Sequence, residues 1–454
     1  MSVHVMVTDP LPGRREHEPI TFTVAGDLPE PLRWARTEQG ERVLVQRLAA
    51  GSTGGRTSFV AVVSLERELR LTLGEPLAAG EGLGLGIREL PGRESDCFVR
   101  LDTGAFDLEL CSGKAEGLGS SKWGLRHFKG TADGVELLPS GNNAIGGFYG
   151  PFFTPENGLI NPPEHTKVTI ETLERGPVLH HYRMHGTIPD GLLAELKGKS
   201  FAIDWRFYHR TPHFGRRYVV DPFQTVINGR SVTSKITVGD EFEGGPGRLV
   251  FDRFAAYGGT RYRAGDPYAG LLVDMVRETV ASAPSGATAE SPKLAEFRAE
   301  LADIEAAHWD LYWRLFCAWE GVLPEAEIRE RLARVRAAAH VAADRNDRPW
   351  LLTEAPVDVS AVPHATIFPG PAAKTVEYDS ASGRAMVWWT SQPSGAFQIV
   401  QRRQSGWVNW GSNGENECPE LPVGVEIKTA YGPFAATWCQ VADQLERAPV
   451  VTML

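Results

Sequence analysis

The chain has 454 residues, a formal net charge of −10 and 42% hydrophobic residues, so it is long and apolar enough for large packed cores. The acidic balance excludes a strongly basic face, and neither a nucleic-acid nor a membrane partner is expected. No stretch of about 18 apolar residues occurs, which excludes a membrane-spanning helix. The five cysteines form no CxxC pair, and the first residues lack a secretory signal pattern. Free thiols and a cytoplasmic location are therefore the simplest expectation.

Most of the chain is patterned as β-strands. Short alternating segments such as "PITFTVAG", "TSFVAVVSL" and "SFAIDWRFYHR" recur roughly every 8–15 residues, separated by Gly, Pro or Asn-Gly. Because strands do not alternate with helices, antiparallel sheets packed as a sandwich are favoured. We predict a mainly β protein with a small N-terminal β-domain (1–92), a large antiparallel β-supersandwich in two parts (93–285 and 347–454), and an insertion between them (286–346).

The insertion carries the helical signals. After the small, polar linker "ASAPSGATAES", apolar residues recur at helical spacing from Pro292 to Glu320 and again from Pro324 to Ala343. The short join "GVLP" predicts an antiparallel two-helix hairpin. Its aromatic residues allow two interpretations, a homodimer surface or packing on the chain's own sheet; they are Trp309, Tyr312, Trp313 and Trp319.

Two segments join pairs of alternating strands by short turns: "CFVRLDTGAFDLEL" (97–110) and "SFAIDWRFYHRTPHFGRRYVV" (200–220). This pattern resembles the galactose-mutarotase-like supersandwich domains of carbohydrate-active proteins. The N-terminal "HVMVTDPLPGRREHEPITFTV" resembles the small RIFT-barrel domain of exo-acting rhamnogalacturonan lyases. The resemblance covers roughly residues 1–280 and 350–454, and it implies carbohydrate chemistry, often acid–base work on a pyranose. The α/α barrel of many such relatives has no counterpart in this sequence, so the sandwich itself must carry any active site.

The stretch "NNAIGGFYGPFFTPENGLINPPEHTKV" (142–168) mixes glycines and prolines with aromatic rings. Its glycines allow the backbone to approach a ligand closely, and rings such as Phe148 offer flat faces to a sugar. Asn142 and Asn143 can bind hydroxyl groups or a carboxylate, and Tyr149 and His165 can exchange protons. We predict the lip of a sugar-binding cleft. The alternative is a rigid loop that closes one end of the sandwich with its own rings.

Polar residues alternate with apolar ones along three of the predicted strands. The pattern places His181 and Arg183 on one face of the first strand, Tyr208 near the end of the second, and Lys235 near the start of the third. If these strands are neighbours, the four side chains line one wall, as in a concave sugar-binding sheet. The alternative is the solvated outer face of an antiparallel sheet.

The turn "YHRTPHFGRR" brings Arg210 and Arg217 close together in the sequence, and guanidinium groups suit the carboxylate of a uronic acid. The alternative is a solvated turn whose arginines pair with acidic neighbours. A metal ion held by His209 and His213 would need helical spacing, which Pro212 opposes. We therefore expect no cofactor, and only a divalent metal elsewhere in the fold stays open.

A second loop with aromatic and acidic residues lies near the C-terminus, in "SGWVNWGSNGENECPELPVG" (405–424). Trp410 can stack on a sugar ring, and Glu415 or Glu417 can act as a carboxylic acid or as its base form. The two glutamates alternate along the chain, so only one of them would face a site built on extended backbone. The alternative is a hairpin turn with exposed acidic residues.

The leading hypothesis is an exo-acting lyase that cleaves a uronate-containing oligosaccharide by β-elimination. This reaction needs a group that neutralises the carboxylate, a base for the C5 proton and an acid for the leaving oxygen. The candidates are Arg210 and Arg217 for the carboxylate, with Tyr149 and His165 for the two proton transfers. A glycoside hydrolase or sugar epimerase using carboxylic acids is the first alternative. The second is a protein that binds an oligosaccharide without catalysis.

Overall fold

The computed structural model describes residues 3–78, 81, 84–114, 121–138, 144–149, 166–188, 194–227, 230–243, 251, 253–257, 324, 350–352, 364–379, 382–402, 407–411, 421–434 and 437–454. Apart from Pro324, the predicted helical hairpin lies outside these residues and stays a prediction. The described chain is mainly β, and every pairing between its strands is antiparallel, which confirms the predicted fold class.

A seven-stranded sheet contains the N-terminal residues. Numbered in chain order, its strands are β1 (Val3–Thr8), β2 (Arg15–Ala25), β3 (Leu32–Thr37), β4 (Arg42–Arg47), β5 (Arg56–Leu65), β6 (Glu68–Pro76) and β26 (Val450–Met453). They lie in the order β2-β5-β4-β3-β6-β1-β26. Along β2, the buried residues Ile20, Phe22 and Val24 alternate with more exposed ones and pack into the core of this sheet.

The last strand of the chain joins the N-terminal sheet. Val5 of β1 pairs with Met453 and Thr8 pairs with Val450, so the two ends of the described chain are held side by side. The sequence pattern assigned residues 347–454 to the supersandwich and did not predict this pairing. Because β26 extends the edge of the N-terminal sheet, the small domain depends on residues from both ends of the chain.

A second, much larger sheet closes on itself, and we call it the closed sheet. Its strands are β7 (Arg88–Leu90), β8 (Cys97–Asp102), β9 (Phe106–Cys111), β10 (Gly124–Gly130), β11 (Ile145–Tyr149), β12 (Val168–Arg175), β13 (Leu179–Thr187), β14 (Ser200–Tyr208), β15 (His213–Val220), β18 (Lys235–Glu243), β19 (Arg253–Tyr257), β20 (Trp350–Leu352), β21 (His364–Asp379), β22 (Arg384–Arg402), β23 (Trp407–Gly411), β24 (Leu421–Pro422) and β25 (Glu426–Gly432). A separate hairpin consists of β16 (Gln224–Ile227) and β17 (Arg230–Thr233).

The closed sheet encloses one large apolar core. The period of two along each strand sends alternate side chains inward. In β14 the inward residues are those predicted from the sequence, and all are buried: Phe201, Ile203, Trp205 and Phe207. Neighbouring strands repeat this alternation, and aromatic rings from several strands stack against one another inside the sheet. The inward and outward faces of each strand are therefore chemically distinct.

The outer face of the closed sheet is partly covered by other elements. Helix α1 (Trp438–Glu446) lies on it, and Leu445 packs with Val387 and Ala430. Elsewhere the N-terminal sheet covers the same face, where Val60 packs beside Leu179. Among the described residues, no helix is long and apolar enough to cross a membrane.

Buried hydrogen bonds fix both covering elements to the closed sheet. The side-chain oxygen of Gln46, in the N-terminal sheet, accepts the backbone N–H groups of Val178 and Leu179 at 3.0 and 2.9 Å. Elsewhere on the same outer face, the Lys374 ammonium group of β21 donates to Asp443 and Glu446 of helix α1, both at 2.8 Å. The three parts of the molecule thus meet on one side of the closed sheet.

Candidate active site in the interior of the closed sheet

A charged pair lies inside the apolar core of the closed sheet. Arg216 of β15 donates two hydrogen bonds to Asp240 of β18, at 2.6 and 2.8 Å, and neither side chain is exposed. This parallel, two-bond geometry is the strongest form of an arginine–carboxylate pair. Because both charges are removed from water, the pair is a large local departure from an otherwise apolar interior.

The Asp240 carboxylate has hydrogen-bond donors on both of its oxygens. Besides Arg216, one oxygen accepts the backbone N–H of Gly146 at 2.9 Å. The other oxygen accepts the indole N–H of Trp388, also at 2.9 Å. Four donors satisfy a carboxylate nearly completely. Asp240 is therefore held in place, and it has little capacity left to accept a further hydrogen bond from a ligand.

The Arg216 guanidinium group is held by neutral partners as well. It donates to the Tyr218 hydroxyl at 3.2 Å and to the Thr429 hydroxyl at 3.1 Å. The Cζ atom of Arg216 lies 5.7 Å from the centre of the Trp205 ring, within the range of a cation–π contact. Burial by itself would lower the pKa of Arg216, but the charge of Asp240 raises it overall. The guanidinium group therefore stays charged.

Two parallel indole rings complete one side of this polar cluster. Trp388 of β22 and Trp410 of β23 stack with ring centres 4.9 Å apart and an angle of 5° between the rings. The Trp410 N–H donates to the Thr375 hydroxyl at 3.0 Å. Trp410 was predicted as a sugar-stacking residue of a loop. It lies instead on a strand, fully buried beside the charged pair.

Glu377 of β21 is the unusual member of the cluster. It points inward, because it lies two residues from Thr375 and pairs across the ladder with Met386, a core residue. Its side chain is fully buried, and neither carboxyl oxygen has a hydrogen-bond partner among the described residues. Burial, and then the charge of Asp240, raises the pKa of Glu377 well above its ordinary value of 4.5. The surroundings of Glu377 therefore favour its neutral, protonated form over the carboxylate.

A buried carboxyl group without a partner lowers the stability of the fold. A buried polar group without a partner costs about 1–3 kcal/mol of stability, and apolar side chains at this position would avoid that cost. Buried polar groups almost always have partners in folded proteins, so each exception needs an explanation. Strongly shifted pKa values next to a specific charge are characteristic of functional sites. The surroundings of Glu377 favour its neutral form, whereas Asp240 is charged in its ion pair with Arg216. Two carboxyl groups in such different environments are suited to different roles, one as an acid and the other as a permanent charge.

Gly146 connects this cluster to the glycine- and aromatic-rich stretch of the sequence. Its backbone φ is +96°, and a Cβ atom added there would lie 2.3 Å from the Trp205 ring. Only glycine allows this approach, which lets its N–H reach Asp240 and its carbonyl accept the Tyr218 hydroxyl at 3.2 Å. The close approach at Gly146 is thus to a side chain of the chain itself, and the approach of these glycines to a ligand stays a prediction.

Two of the other predicted residues of that stretch lie on a described strand. Phe148 and Tyr149 belong to β11. The backbone of β11 pairs with Val238 and Thr237 of β18, the strand that carries Asp240. Asn142, Asn143 and His165 lie outside the described residues, as do Glu415 and Glu417. Their roles in catalysis and binding stay predictions.

The predicted polar wall lies on the outer face of the closed sheet. Arg183 and Asp204 form an ion pair there at 2.7 Å, with His181 4.0 Å from the same carboxylate. Burial lowers the pKa of His181 to about 4. Tyr208 packs against Val60 of the N-terminal sheet, and burial raises its pKa to about 12.

Three further predicted residues lie apart from the interior cluster. Arg217 is exposed on β15, opposite Glu426 and Asp204 in the ladder. Lys235 is exposed at the start of β18, next to Pro422. Arg210 is exposed in the turn between β14 and β15. The structure therefore brings Trp410, and the backbone of β11, to the Asp240 cluster, but leaves these basic residues outside it.

Among the described residues, three charged residues lie in the interior that the sequence reasoning did not assign to a site. Each is a charged residue at an inward position of a strand: Asp240 between Val238 and Phe242, and Arg216 between Phe214 and Tyr218. Glu377 likewise shares the parity of Thr375. A charge that shares the parity of core residues was a readable signal. The predicted polar wall consists instead of residues of the opposite parity.

Among the described residues, three residues of types that can ligate a metal come together at one place: Cys97, Glu109 and Cys111, with ligand atoms within 4.8 Å of one another. They lie on β8 and β9, away from the interior cluster. Glu109 already accepts the backbone N–H of Arg93 at 2.8 Å, and the pKa of Cys111 is raised by its hydrogen bond with Cys97 and by burial. A neutral thiol and an engaged carboxylate do not favour a cation, so we assign no metal there.

No family model matches the sequence, and no curated protein matches it. Among solved structures, the chain is similar to an α-mannosidase from Enterococcus faecalis, with a TM-score of 0.46 and 8% identity over 100% of this chain and 46% of that one. The chain thus spans about half the length of that protein. It is also similar to a mutarotase-like protein from Clostridium acetobutylicum (TM-score 0.36, 11% identity, 77% and 98% coverage) and a putative mutarotase from Salmonella typhimurium (0.36, 7%, 76% and 97%). Scores and identities this low establish no shared activity.

Proposed function

We propose that the protein is a carbohydrate-active enzyme of the sugar 1-epimerase type, with Glu377 as its proton-transfer group. The observation that carries this proposal is the Glu377 carboxyl, buried and without a partner on either oxygen among the described residues. The sugar class rests on the resemblance of the strand pattern to mutarotase-like domains. A carboxylic acid kept neutral by its surroundings is a suitable acid for a sugar oxygen.

The chemistry suits a group with two free oxygens. To interconvert anomers, the O–H of the acid donates its proton to the ring oxygen while its carbonyl oxygen accepts the proton of the anomeric hydroxyl. The bond between the anomeric carbon and the ring oxygen breaks, and a carbonyl group forms at the anomeric carbon. Ring closure on the other face reverses both transfers. Protons and electrons balance without an oxidant or a metal, and Glu377 ends as it began.

The Arg216–Asp240 pair has a positioning role in this proposal. Its negative charge contributes to the raised pKa of Glu377, so it keeps the acid protonated. Because Asp240 is already occupied by four donors, it is not a second proton acceptor. This feature favours an epimerase over a hydrolase, since a hydrolase needs two carboxyl groups that both act on the substrate.

The direct test measures interconversion of anomers. A freshly dissolved single anomer of glucose, galactose or a hexuronate is followed by polarimetry or by proton exchange spectroscopy, with the full-length protein added. We expect faster equilibration with the wild type and at least ~100-fold slower turnover with Glu377→Gln, which removes the acid while keeping its shape. Glu426→Gln, the same change on the outer face of the sheet, is the matched control and should retain activity. Equal rates in the wild type and Glu377→Gln would reject the proposal.

β-Elimination is a second candidate, favoured by the position of β11. Its backbone runs beside Asp240, and Tyr149 follows Gly146 by three residues. In that case elimination from a uronate oligosaccharide produces an unsaturated sugar, seen as a rise in ultraviolet absorbance. Tyr149→Phe and His165→Ala should each lower this rate by at least ~100-fold. Binding of oligosaccharides without either reaction would leave only a carbohydrate-binding protein.

A further inference from the structure

A cavity of about 570 Å³ lies where the three parts of the molecule meet. Its walls come from β2 of the N-terminal sheet, from the β14–β15 turn of the closed sheet, and from helix α1 with the segment before it. Cavities of this size at the junction of structural units are typical small-molecule sites. It opens on the outer face of the closed sheet, since His213 and Ala430 line it, whereas Arg216 and Thr429 point into the interior.

The acidic residues of this cavity are all paired. Asp133 is bound by Arg384 at 3.0 Å and by the Tyr431 hydroxyl at 3.2 Å. Glu16 is paired with Arg14 at 2.9 Å. Each carboxylate there thus has a cation or a donor facing it. The negative charges of Glu16 and Asp133 are thus compensated by the arginines of the cavity wall.

Glu18 follows the same rule at greater depth. It lies 3.3 Å from Arg15 and 3.8 Å from His213, and it is buried. Burial opposes ionisation of this carboxyl, but His213 and Arg15 together lower the pKa of Glu18. The Glu18 carboxylate is therefore part of the wall and is not available to bind a cation from solution.

Arg210 is a cation of the cavity wall that is not paired with one of these carboxylates. Its guanidinium group forms no hydrogen bond or ion pair with a described residue, although it lines the cavity and lies within electrostatic reach of His17 and His209. Its backbone is held at φ = +57° by the hydrogen bond of its N–H to the Thr103 carbonyl at 2.7 Å. A left-handed arginine is unusual, so the turn fixes the position of this side chain at the cavity mouth.

A second unsatisfied group lies deeper in the cavity. His213 is 8% exposed, and its Nδ1 atom is buried without a hydrogen-bond partner among the described residues. On the opposite side Tyr431, Phe434 and Leu445 provide apolar surface. The cavity therefore combines one free positive charge, one free polar ring nitrogen and an apolar floor.

We propose that this cavity binds a small molecule carrying one carboxylate and several hydroxyl groups, a sugar acid, with the carboxylate on Arg210 and a hydroxyl on His213. A carboxylate matches the planar fork of a single arginine. A phosphate dianion does not, because Arg210 is the only unpaired cation among the described residues that line the cavity, and three carboxylates lie nearby. The site is independent of the proposed catalytic function, since it uses neither Glu377 nor the Arg216–Asp240 pair.

The test is calorimetric titration of the full-length protein at low ionic strength, with glucuronate, glucose and inorganic phosphate as probes. We expect glucuronate to bind more tightly than the other two. Arg210→Asn should weaken glucuronate binding about tenfold or more through loss of the charge-assisted hydrogen bonds. Asparagine tolerates the left-handed backbone, so this variant keeps the turn. Arg67→Asn, a change at an exposed turn outside the cavity, is the matched control and should bind as the wild type does.

Two further variants separate this site from the interior one. Ala132→Phe places a ring at the exposed rim of the cavity and should also abolish glucuronate binding. Because glucose and hexuronates are also candidate substrates of the interior site, binding is assigned to the cavity only where Arg210→Asn or Ala132→Phe removes it and Glu377→Gln does not. The proposal is overturned if glucuronate does not bind, if Arg210→Asn and Ala132→Phe both bind it as the wild type does, or if the binding that these variants remove is equally strong for glucose or phosphate.

Discussion

The Arg216 guanidinium and the Asp240 carboxylate meet inside the closed sheet through two hydrogen bonds of 2.6 and 2.8 Å, fully shielded from solvent. Taking two charges out of water costs several kcal/mol each, and good geometry only compensates for this cost. A buried pair is therefore weak evidence for stabilisation and stronger evidence for a requirement of the site. Under the proposed function, that requirement is a fixed negative charge near Glu377.

Removing one partner of this pair should be strongly destabilising. In Asp240→Asn the guanidinium group stays buried without its counter-charge, so we expect a loss of about 3–5 kcal/mol in the free energy of unfolding. Denaturation by urea measures this loss. The matched control is Asp204→Asn on the outer face, where Asp204 is also buried but its partner Arg183 is 41% exposed and stays hydrated without it. There the loss should be about 1 kcal/mol or less, and equal losses in both variants would contradict the assigned difference in burial.

Replacing Glu377 by an apolar residue should separate stability from activity. Glu377→Leu removes a buried carboxyl that has no partner among the described residues, and leucine fills a similar volume. We expect the free energy of unfolding to rise by about 1–3 kcal/mol, while epimerase activity disappears. A functional group retained at the expense of stability behaves in this way. If Glu377→Leu is less stable than the wild type, the carboxyl has a structural partner and the functional assignment fails.

The raised pKa of Glu377 predicts how stability depends on pH. Above its ordinary value of 4.5 the unfolded chain loses this proton, whereas the folded chain still holds it. Folding then takes up a proton, so this residue's contribution to the stability of the folded state falls as the pH rises towards the folded-state pKa. The expected slope is about 1.4 kcal/mol per pH unit. Urea denaturation of the wild type and Glu377→Gln at several pH values isolates it, because the variant lacks the titrating group. Parallel curves above pH 4.5 would show that the carboxyl is ionised in the folded protein.

The alternation of residues made the fold class predictable. In β14, Phe201 and Trp205 point inward as their parity requires, and the same rule gave an antiparallel, mainly β chain. The pairing of Val5 with Met453 was not predictable, because no local pattern links two strands that lie at opposite ends of the sequence. Strand order depends on contacts between distant residues, which a single sequence does not display.

The site was harder to predict, for a physical reason. Sequence alternation shows which face a residue occupies, but not whether that face looks inward or outward when both contain polar groups. Arg183 was assigned to a binding wall, yet its face is the outer one and it pairs with Asp204. Arg216 was passed over beside Arg217, although the parity of Phe214 placed it in the core. Only the tertiary arrangement reveals which charges meet.

Gly146 provides the last prediction, because it links the glycine-rich stretch to the charged pair. In Gly146→Ala the new methyl group would lie 2.3 Å from the Trp205 ring, and alanine disfavours φ = +96°. The strain should move β11 and weaken the bond from the residue 146 N–H to Asp240, so we expect a loss of about 2–4 kcal/mol in unfolding free energy and a large loss of activity. Gly198→Ala is the matched control, since Gly198 also has a positive φ, +73°, with open space around it. It should lose only about 1 kcal/mol and keep full activity. If both variants behave alike, backbone strain alone explains the effect, and close contact with Trp205 does not position β11 at the site.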